Sequence, residues 1–405
     1  MTLKVKKTIK AKIVYLTRIK QRLLEEEYAN LQRFLHGGKT ELYSANKQQA
    51  ERFYKKIKPN KKYPLSVRKD LLKLERRDTK IAEYWVRLPV KGRRGGLWVA
   101  VKPHCPIEPD VEICESKLFK RNGNFYLYVV FQKEVEIPKP EPTDKTVVIA
   151  CDIGEANPLA SVELWNQGEK RKNALFLGRE IRNIRAHYND LKKRIGQKKV
   201  KHAVKWIKEH VEDKETRKVN DVLHKATTKI VDTAEELKKS GCTSIIVYGD
   251  LEKVRHQRIR GKTRCRKNNR KIHAMSSHKI KHMLTYKALW KEIPVIPVNE
   301  TYTSQLCWRC GSLNTETGKR LFKCKDCGLE YNRDLNGAVN MGNRLYGYML
   351  LSRASVNTPQ TFPESTTPKG DWLAFQCARE ETLCESWGSS HHKPSNEGIH
   401  GELCN

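Results

Sequence analysis

Three carboxylates in the C-terminal half of the chain stand where metal ligands of a nuclease would stand. Asp152 ends the apolar run of residues 147–151, and Glu300 follows a second run over residues 295–299. Asp334 comes shortly after a cluster of cysteines. Two Mg²⁺ ions about 4 Å apart need shared carboxylates from distant segments, because one loop cannot surround both ions. The pattern predicts a catalytic site of Asp152, Glu300 and Asp334 that holds two Mg²⁺. Taken alone, Asp152 could instead be a turn or helix-cap residue, and Asp334 could cap the helix that follows it.

The cysteine cluster consists of two Cys-x2-Cys pairs separated by thirteen residues, and a glycine directly follows each pair. Its members are Cys307, Cys310, Cys324 and Cys327. This spacing is typical of tetrahedral zinc sites, and four unrelated cysteines are the alternative. Because four cysteines fill the coordination sphere and leave no position for substrate, we expect a structural Zn²⁺.

The charge of the chain indicates a polyanionic partner. The 405 residues have a net charge of +34, and residues 352–405 hold four Lys/Arg against seven Asp/Glu, so residues 1–351 carry +37. A thermophilic composition enriches lysine together with glutamate and does not account for such an excess of one sign. We therefore expect salt-dependent binding to nucleic acid.

The most basic segment covers residues 253–271, with ten Lys/Arg and no acid. A solvated loop is the alternative. We favour contact with nucleic acid, because phosphate groups would neutralise the positive charge of this segment. The predicted nucleic-acid contacts are Arg255, Arg258, Arg260, Lys262, Arg264, Arg266, Lys267 and Arg270.

No apolar stretch follows the N-terminal Met-Thr-Leu-Lys-Val-Lys-Lys, and no window is apolar enough to span a bilayer. The sequence predicts a protein without membrane contact that lies in the cytoplasm and associates with the nucleoid.

The N-terminal half alternates between strand and helix patterns. Residues 1–14 and 84–137 have strand periodicity, with a hairpin turn at Asn122-Gly123, whereas residues 15–83 are mostly of helical character. Three prolines within residues 138–144 indicate a linker. We expect a small β-barrel interrupted by a helical insertion.

The C-terminal half alternates between buried strands and helices, which favours a mixed α/β sheet with acids at strand ends. The expected strands cover residues 147–152, 244–248 and 294–298, and the expected helices lie within 179–239 and 277–291. Residues 351–405 lack periodicity and are predicted to have little packed structure.

Several motifs of this half resemble the transposon-encoded TnpB (OrfB) family. They are Cys-Asp-Ile-Gly at Asp152, Ile-Ile-Val-Tyr-Gly-Asp-Leu at Gly249, Tyr-Thr-Ser-Gln-Leu-Cys-Trp-Arg-Cys-Gly, Cys-Lys-Asp-Cys-Gly, and Asn-Arg-Asp-Leu-Asn-Gly-Ala-Val-Asn-Met at Asp334. The resemblance covers roughly residues 145–345.

The resemblance implies a multidomain α/β (α+β) protein with an RNase H/RuvC-like nuclease domain, as in type V CRISPR effectors. That domain would cover residues 145–302 and 331–350, with a zinc ribbon inserted at residues 303–330. Before it would come a wedge-like β-barrel (residues 1–14 and 84–137) with a helical recognition insertion (residues 15–83).

The chain departs from the family pattern at one position. The usual second acid is a Glu directly before Asp-Leu, and this chain has Gly249 there. Some members, and the related Fanzor proteins, carry a relocated Glu downstream, and Glu300 is placed for that role. Asp250 and Glu252 are weaker substitutes.

By this resemblance the chain would be an RNA-guided DNA endonuclease. A guide RNA from the transposon end would direct it to double-stranded target DNA, which it would cleave by two-metal hydrolysis. Two alternatives stay open. The first is a catalytically inactive RNA-guided DNA-binding protein that acts as a repressor, and the second is a DNA transposase that works without RNA.

Overall fold

The computed structural model describes residues 2–59, 61–197, 201–250, 276–318 and 320–354. The chain divides into two compact units. The first comprises Met1–Lys139 with His282–Ile293, and the second comprises Pro140–Lys281 with the residues from Pro294 onward. No helix in the described ranges is both long enough and apolar enough to cross a membrane.

The first unit is built on a sheet of eight strands. The strands are β1 (Thr2–Val14), β2 (Leu65–Val67), β3 (Lys73–Arg76), β4 (Tyr84–Leu88), β5 (Leu97–Pro103), β6 (Glu112–Ile113), β7 (Ser116–Arg121) and β8 (Asn124–Glu136). Their order is β2-β7-β8-β1-β5-β4-β3, and β6 pairs with β8. The long strands alternate buried apolar and exposed polar residues, as expected for a sheet with one solvated face.

Two helices cover the segment that was predicted to be a helical insertion, but this segment also supplies strands. Helix α1 (Arg18–Leu35) and helix α2 (Ser44–Phe53) lie where helical spacing predicted them. Strands β2 and β3 then join the sheet, so residues 15–83 are not wholly helical. These strands have three and four residues, too short for a period-two pattern to be recognised in the sequence.

The second unit contains a five-stranded sheet in the order β11-β10-β9-β12-β13. Its strands are β9 (Thr146–Asp152), β10 (Leu159–Trp165), β11 (Lys170–Leu177), β12 (Thr243–Gly249) and β13 (Val295–Val298). The first three form an antiparallel meander, whereas β12 runs parallel to both β9 and β13. The carboxyl ends of β9, β12 and β13 therefore meet at one edge of the sheet.

The helices of this unit are α3 (Glu180–Gln197), α4 (Lys201–Lys239), the start of α5 (Ser277–Trp290) and α6 (Arg333–Ala354). The predicted pair of long helices within residues 179–239 is confirmed as α3 and α4. Helix α4 packs against β9 and β12. The buried cluster between α6 and the sheet includes no residue of α4, so helices cover both faces.

Helix α6 approaches the sheet closely. A Cβ atom at Gly342 would lie 2.1 Å from Leu164 Cδ1 and 3.2 Å from Ala150 Cβ, so only glycine fits at this crossing. One turn later the ring of Tyr346 is buried, and its hydroxyl lies 3.0 Å from the carbonyl oxygens of both Thr146 and Leu164. These contacts fix α6 over β9 and β10.

Three short strands, β14 (Thr315–Thr317), β15 (Leu321–Cys324) and β16 (Glu330–Asn332), form an antiparallel sheet within residues 303–332. This small sheet carries the cysteines and leads directly into α6. The eight basic residues predicted to contact nucleic acid, Arg255 to Arg270, lie outside the described residues, as does nearly all of the predicted tail.

Replacing Tyr346 by Phe should lower the free energy of unfolding of the second unit by about 1–2 kcal/mol. The ring packing is retained, but two buried carbonyl oxygens lose their shared donor. Urea titration followed by tryptophan fluorescence measures the change. Tyr348→Phe is the matched control, because Tyr348 packs partly buried against the same cluster and its hydroxyl has no partner among the described residues. Equal stability of Tyr346→Phe and the wild type would contradict the assignment.

Candidate metal-binding and active site

The three predicted acids come from one face of the five-stranded sheet and from the helix that covers it. Side chains alternate along a strand, so Val148, Ala150 and Asp152 point to the same side of β9. Val148 and Ala150 belong to the cluster under α6. Asp152 is therefore directed to the α6 side at the carboxyl end of the strand.

Strand β12 brings Gly249 to the same edge. Tyr248 pairs with Cys151, so Gly249 follows at the level of Asp152. Ile245 and Val247, which have the parity of Gly249, also belong to the cluster under α6. Position 249 therefore lies on the α6 side of the sheet beside Asp152.

The side chain of Glu300 fills the space that a side chain on residue 249 would occupy. A Cβ atom built on Gly249 would lie 2.5 Å from Glu300 Oε2 and 3.1 Å from Glu300 Cβ. Gly249 does not have a positive φ, so its backbone would accept any L-residue. The glycine is thus required for space rather than for backbone conformation.

Helix α6 delivers Asp334 in its first turn. The side chain of Asn332 caps this helix, because its Oδ1 accepts from the backbone N–H groups of Asp334 at 3.0 Å and Leu335 at 3.3 Å. Asp334 is therefore not the cap, and its carboxylate lies where the helix dipole favours negative charge. One turn further, Gly337 lies beside Asp152, since a Cβ atom there would be 3.6 Å from Asp152 Oδ2.

The acids interact electrostatically. Burial, together with the charges of Asp334 and Glu300, raises the pKa of Asp152 to about 7, while the charge of Arg333 opposes this rise. Burial also raises the pKa of Glu300, which Lys281 lowers and Asp250 raises. A raised pKa means that the folded chain keeps a proton that the unfolded chain releases, so the stability of the metal-free fold falls as pH rises from about 4 to 7.

Asp250, which directly follows Gly249 and is one of the two weaker substitutes, forms an ion pair with Lys281. Its Oδ1 is 3.2 Å from Lys281 Nζ, and it is not among the acids that raise the pKa of Asp152. Glu252, the other substitute, lies outside the described residues. Of Glu300 and Asp250, Glu300 is therefore the acid that interacts electrostatically with Asp152.

Arg344 of α6 forms hydrogen bonds to the loop that carries Glu300. Arg344 donates from Nη2 to the carbonyl oxygen of Thr301 at 3.1 Å and from Nη1 to the carbonyl oxygen of Asn299. The carbonyl oxygen of Glu300 itself accepts from Thr303, through both its N–H at 3.1 Å and its hydroxyl at 2.8 Å. The backbone on both sides of Glu300 is thereby fixed to the helix that carries Asp334 in its first turn.

Two buried asparagines of α6 fix the next part of the loop. The amide groups of Asn336 and Asn340 both donate to the carbonyl oxygens of Thr303 and Leu306, at distances of 2.7–3.2 Å. Asn336, Asn340 and Arg344 recur every four residues and so form one stripe on the helix. These residues were missed in the sequence, although their regular spacing was a usable signal.

The cysteines form the one group of potential metal ligands in the described ranges whose ligand atoms all lie within 4.8 Å of one another. Sγ of Cys307 is 3.7 Å from that of Cys327, and Sγ of Cys310 is 3.5 Å from that of Cys324. A tetrahedron with Zn–S bonds of about 2.3 Å has sulfur atoms about 3.8 Å apart. The cluster therefore fits a zinc ion.

Backbone N–H groups favour the thiolate of Cys324, whereas burial raises the pKa of the Cys307 thiol. Gly311 and Gly328 have φ values of +73° and +69°, which turn the chain after each Cys-x2-Cys pair. N–H groups of Cys327 and Asp326 lower the pKa of the Cys324 thiol to about 7. Deprotonated sulfur is the form that binds metal.

Asn157 contacts Asp334 and links it to Arg179. The amide nitrogen of Asn157 donates to Asp334 Oδ2, and Asn157 Oδ1 accepts from Arg179 Nε at 2.9 Å. Neither Asn157 nor Arg179 was recognised in the sequence, because each stands in a turn without a repeating pattern.

The comparisons with known proteins agree with this architecture. A family model for the TNB domain of Cas12f1-like proteins matches residues 278–341. A TnpB-like protein of Methanocaldococcus jannaschii is 28% identical over 230 residues, which are 55% of this chain and 79% of that protein. Another, of Aquifex aeolicus, is 27% identical over 241 residues, which are 56% of this chain and 75% of that protein.

A third relative is the CRISPR-associated endodeoxyribonuclease Cas12f2 of a Micrarchaeota archaeon, 26% identical over 236 residues, with 55% of this chain and 41% of that protein covered. Among solved structures, the Cas12f1–sgRNA–target DNA complex covers 84% of this chain and 99% of that chain, at 13% identity and a TM-score of 0.37. That score is too low to add to the assignment. The expected mixed α/β fold is confirmed in the second unit, and over about half of its length the chain is similar to TnpB-like proteins and to a type V CRISPR effector.

Proposed function

We propose that the chain is an RNA-guided DNA endonuclease in which Asp152, Glu300 and Asp334 hold two Mg²⁺ ions. The observation that carries the proposal is the position of Glu300, whose carboxylate occupies the space of a side chain at position 249 beside Asp152. The names of two relatives support the substrate class: the endodeoxyribonuclease Cas12f2, and a putative RNA-guided DNA endonuclease of Escherichia coli K12 that is 26% identical over 54% of this chain and 53% of its own length.

The donor set suits magnesium. Hard divalent cations prefer carboxylate oxygens, and Asp152 is half-buried with a pKa raised by burial and by its acidic neighbours. A cation relieves this repulsion, so the acids that destabilise the metal-free fold at neutral pH become favourable once a cation is bound. When bound, a pair of such ions lowers the pKa of the attacking water and stabilises the leaving oxygen.

The chain's own residues would keep this site in shape. Arg344, Asn336 and Asn340 fix the loop of Glu300 to α6, and α6 carries Asp334. The cysteine cluster, which we assign to a structural Zn²⁺, closes the segment between Glu300 and Asp334. Zinc would thereby fix two of the three acids through one continuous segment of backbone.

The names of the relatives and the charge of the chain support the proposal of an RNA guide and a DNA target. A net charge of +34 suits a protein that holds an RNA–DNA heteroduplex by its phosphates, while base pairing supplies the sequence specificity. The guide RNA would come from the end of the transposon. The predicted contacts between Arg255 and Arg270 remain part of this proposal.

Sequencing the RNA that copurifies with the protein supplies the guide. A plasmid library that carries a match to this RNA beside randomised flanking bases then reveals cleavage. Double-strand breaks that depend on the matching RNA and on Mg²⁺ are expected. A protein that binds the match without cutting would indicate a repressor, and cleavage without RNA would indicate a transposase.

Replacing Cys310 by Ser should remove the zinc and abolish cleavage, because the loop between Glu300 and Asp334 loses its anchor. Cys310 is exposed, so Ser disturbs no packing there. Metal analysis by mass spectrometry should find one zinc per wild-type chain and none in the variant. Cys242→Ser, at a free cysteine outside the cluster, should keep its zinc. A wild-type protein without zinc would overturn the assignment.

Replacing Glu300 by Gln should slow cleavage about 100-fold or more, because a metal ligand that supplies several kcal/mol is lost while the size is kept. RNA binding, measured by filter retention, should be unchanged. The matched control is Asp250→Asn, which removes a neighbouring carboxylate that pairs with Lys281 and should retain most activity. The assignment fails if Glu300→Gln cuts at the wild-type rate, or if Asp250→Asn is the inactive variant.

A further inference from the structure

Asn157 is a buried polar residue that connects an acid to a base. Its side chain is 1% exposed and lies in the turn between β9 and β10. The amide nitrogen donates to Asp334 Oδ2, and the amide oxygen accepts from Arg179 Nε at 2.9 Å. Both ends of the amide are satisfied, so Asn157 orients the Asp334 carboxylate and holds Arg179.

The backbone fixes both ends of this bridge. The N–H of Gly154 donates to the carbonyl oxygen of Asn157 at 3.1 Å and closes the turn after Asp152. On the other side Gly178 has a φ of +80°, and a Cβ atom there would lie 3.2 Å from Pro158 Cβ. The chain can pass this closely over Pro158 only with glycine, and this passage brings Arg179 beside Asn157.

The guanidinium of Arg179 is held by its inner nitrogen and leaves its outer nitrogens available. Its Cζ lies 4.4 Å from the centroid of the Phe176 ring, and Nε is committed to Asn157. Arg179 is exposed and forms no ion pair with any acid that the structure describes. A cation that is held by Asn157, which also contacts Asp334, and that is exposed and unpaired among the described residues is suited to an anion that approaches this acid.

We propose that Arg179 binds the phosphate group at the bond that is cut, and that Asn157 is the positioning residue that aligns Arg179 with Asp334. The inference rests on the proposed nuclease function and adds two residues to it. The two outer nitrogens of Arg179 offer paired donors for the non-bridging oxygens of one phosphate. The Asn157 amide engages one oxygen of Asp334 and leaves the other for a metal ion.

The role of Arg179 is tested with the wild-type protein, its copurified RNA and a DNA duplex that matches this RNA. Arg179→Ala should slow single-turnover cleavage about 100-fold, as for the loss of a donor to transition-state charge, with DNA affinity within about twofold of the wild type. Arg179→Lys should recover part of the rate, because it restores the charge without the paired donors. Arg182→Ala, at an exposed arginine one turn further along α3, should cut normally. Wild-type rates for Arg179→Ala would overturn the proposal.

The role of Asn157 is tested by metal binding, which needs no cleavage. Titration with Mn²⁺, followed by electron paramagnetic resonance on the RNA-bound protein without DNA, should show affinity lowered about tenfold or more for Asn157→Ala. Arg179→Ala should not weaken Mn²⁺ binding, and circular dichroism verifies that both variants are folded. Unchanged Mn²⁺ affinity in folded Asn157→Ala would overturn the positioning role while leaving the nuclease assignment intact. A wild-type protein that binds Mn²⁺ but cuts no DNA would overturn the nuclease assignment and the role of Arg179.

Discussion

The carboxylate of Glu300 occupies the space that a side chain on residue 249 would need at the end of β12. The arrangement of acids at this edge of the sheet depends on residue 249 having no side chain. A Cβ atom on residue 249 would come within 2.5 Å of Glu300 Oε2, well inside contact distance. Where the resemblance implies an acid on β12, this chain has Gly249, and the carboxylate of Glu300 from the loop after β13 occupies the space. A carboxylate can be placed at this location either from β12 or from the loop after β13, but the second arrangement requires a residue without a side chain on β12.

An acid in a loop is held less rigidly than an acid on a strand, and contacts with α6 compensate for this difference. A residue on a strand is held by the ladder of hydrogen bonds, whereas Glu300 lies two residues beyond the end of β13. Arg344 holds the carbonyl groups on both sides of Glu300, and Asn336 and Asn340 hold the loop that follows. Because the same helix carries Asp334 in its first turn, the two acids share one rigid support, and the cysteine cluster joins them along the chain.

The sequence was most informative where periodicity or spacing is strict. The strands that end at Asp152 and Gly249 are apolar runs of the length of buried strands, and the cysteine spacing predicted a cluster whose sulfur atoms meet. The short strands β2 and β3 carry no periodic signal and were missed. Asn157 and Arg179 meet through a turn and a positive φ at Gly178, and such long-range contacts leave no trace in local sequence patterns. Glu300 was predicted because Gly249 departs from the pattern that the resemblance implies, but only the structure relates the two positions in space.

The central claim is that Glu300 replaces an acid at position 249, and exchanging the two residues tests it most directly. The variant Gly249→Glu with Glu300→Gly would be compared with both single variants for RNA-guided cleavage, with unfolding followed in parallel. The account predicts that Glu300→Gly is inactive, that Gly249→Glu is impaired because two side chains claim one space, and that the double variant regains activity. A double variant that is folded, binds RNA and remains as inactive as Glu300→Gly would contradict the account.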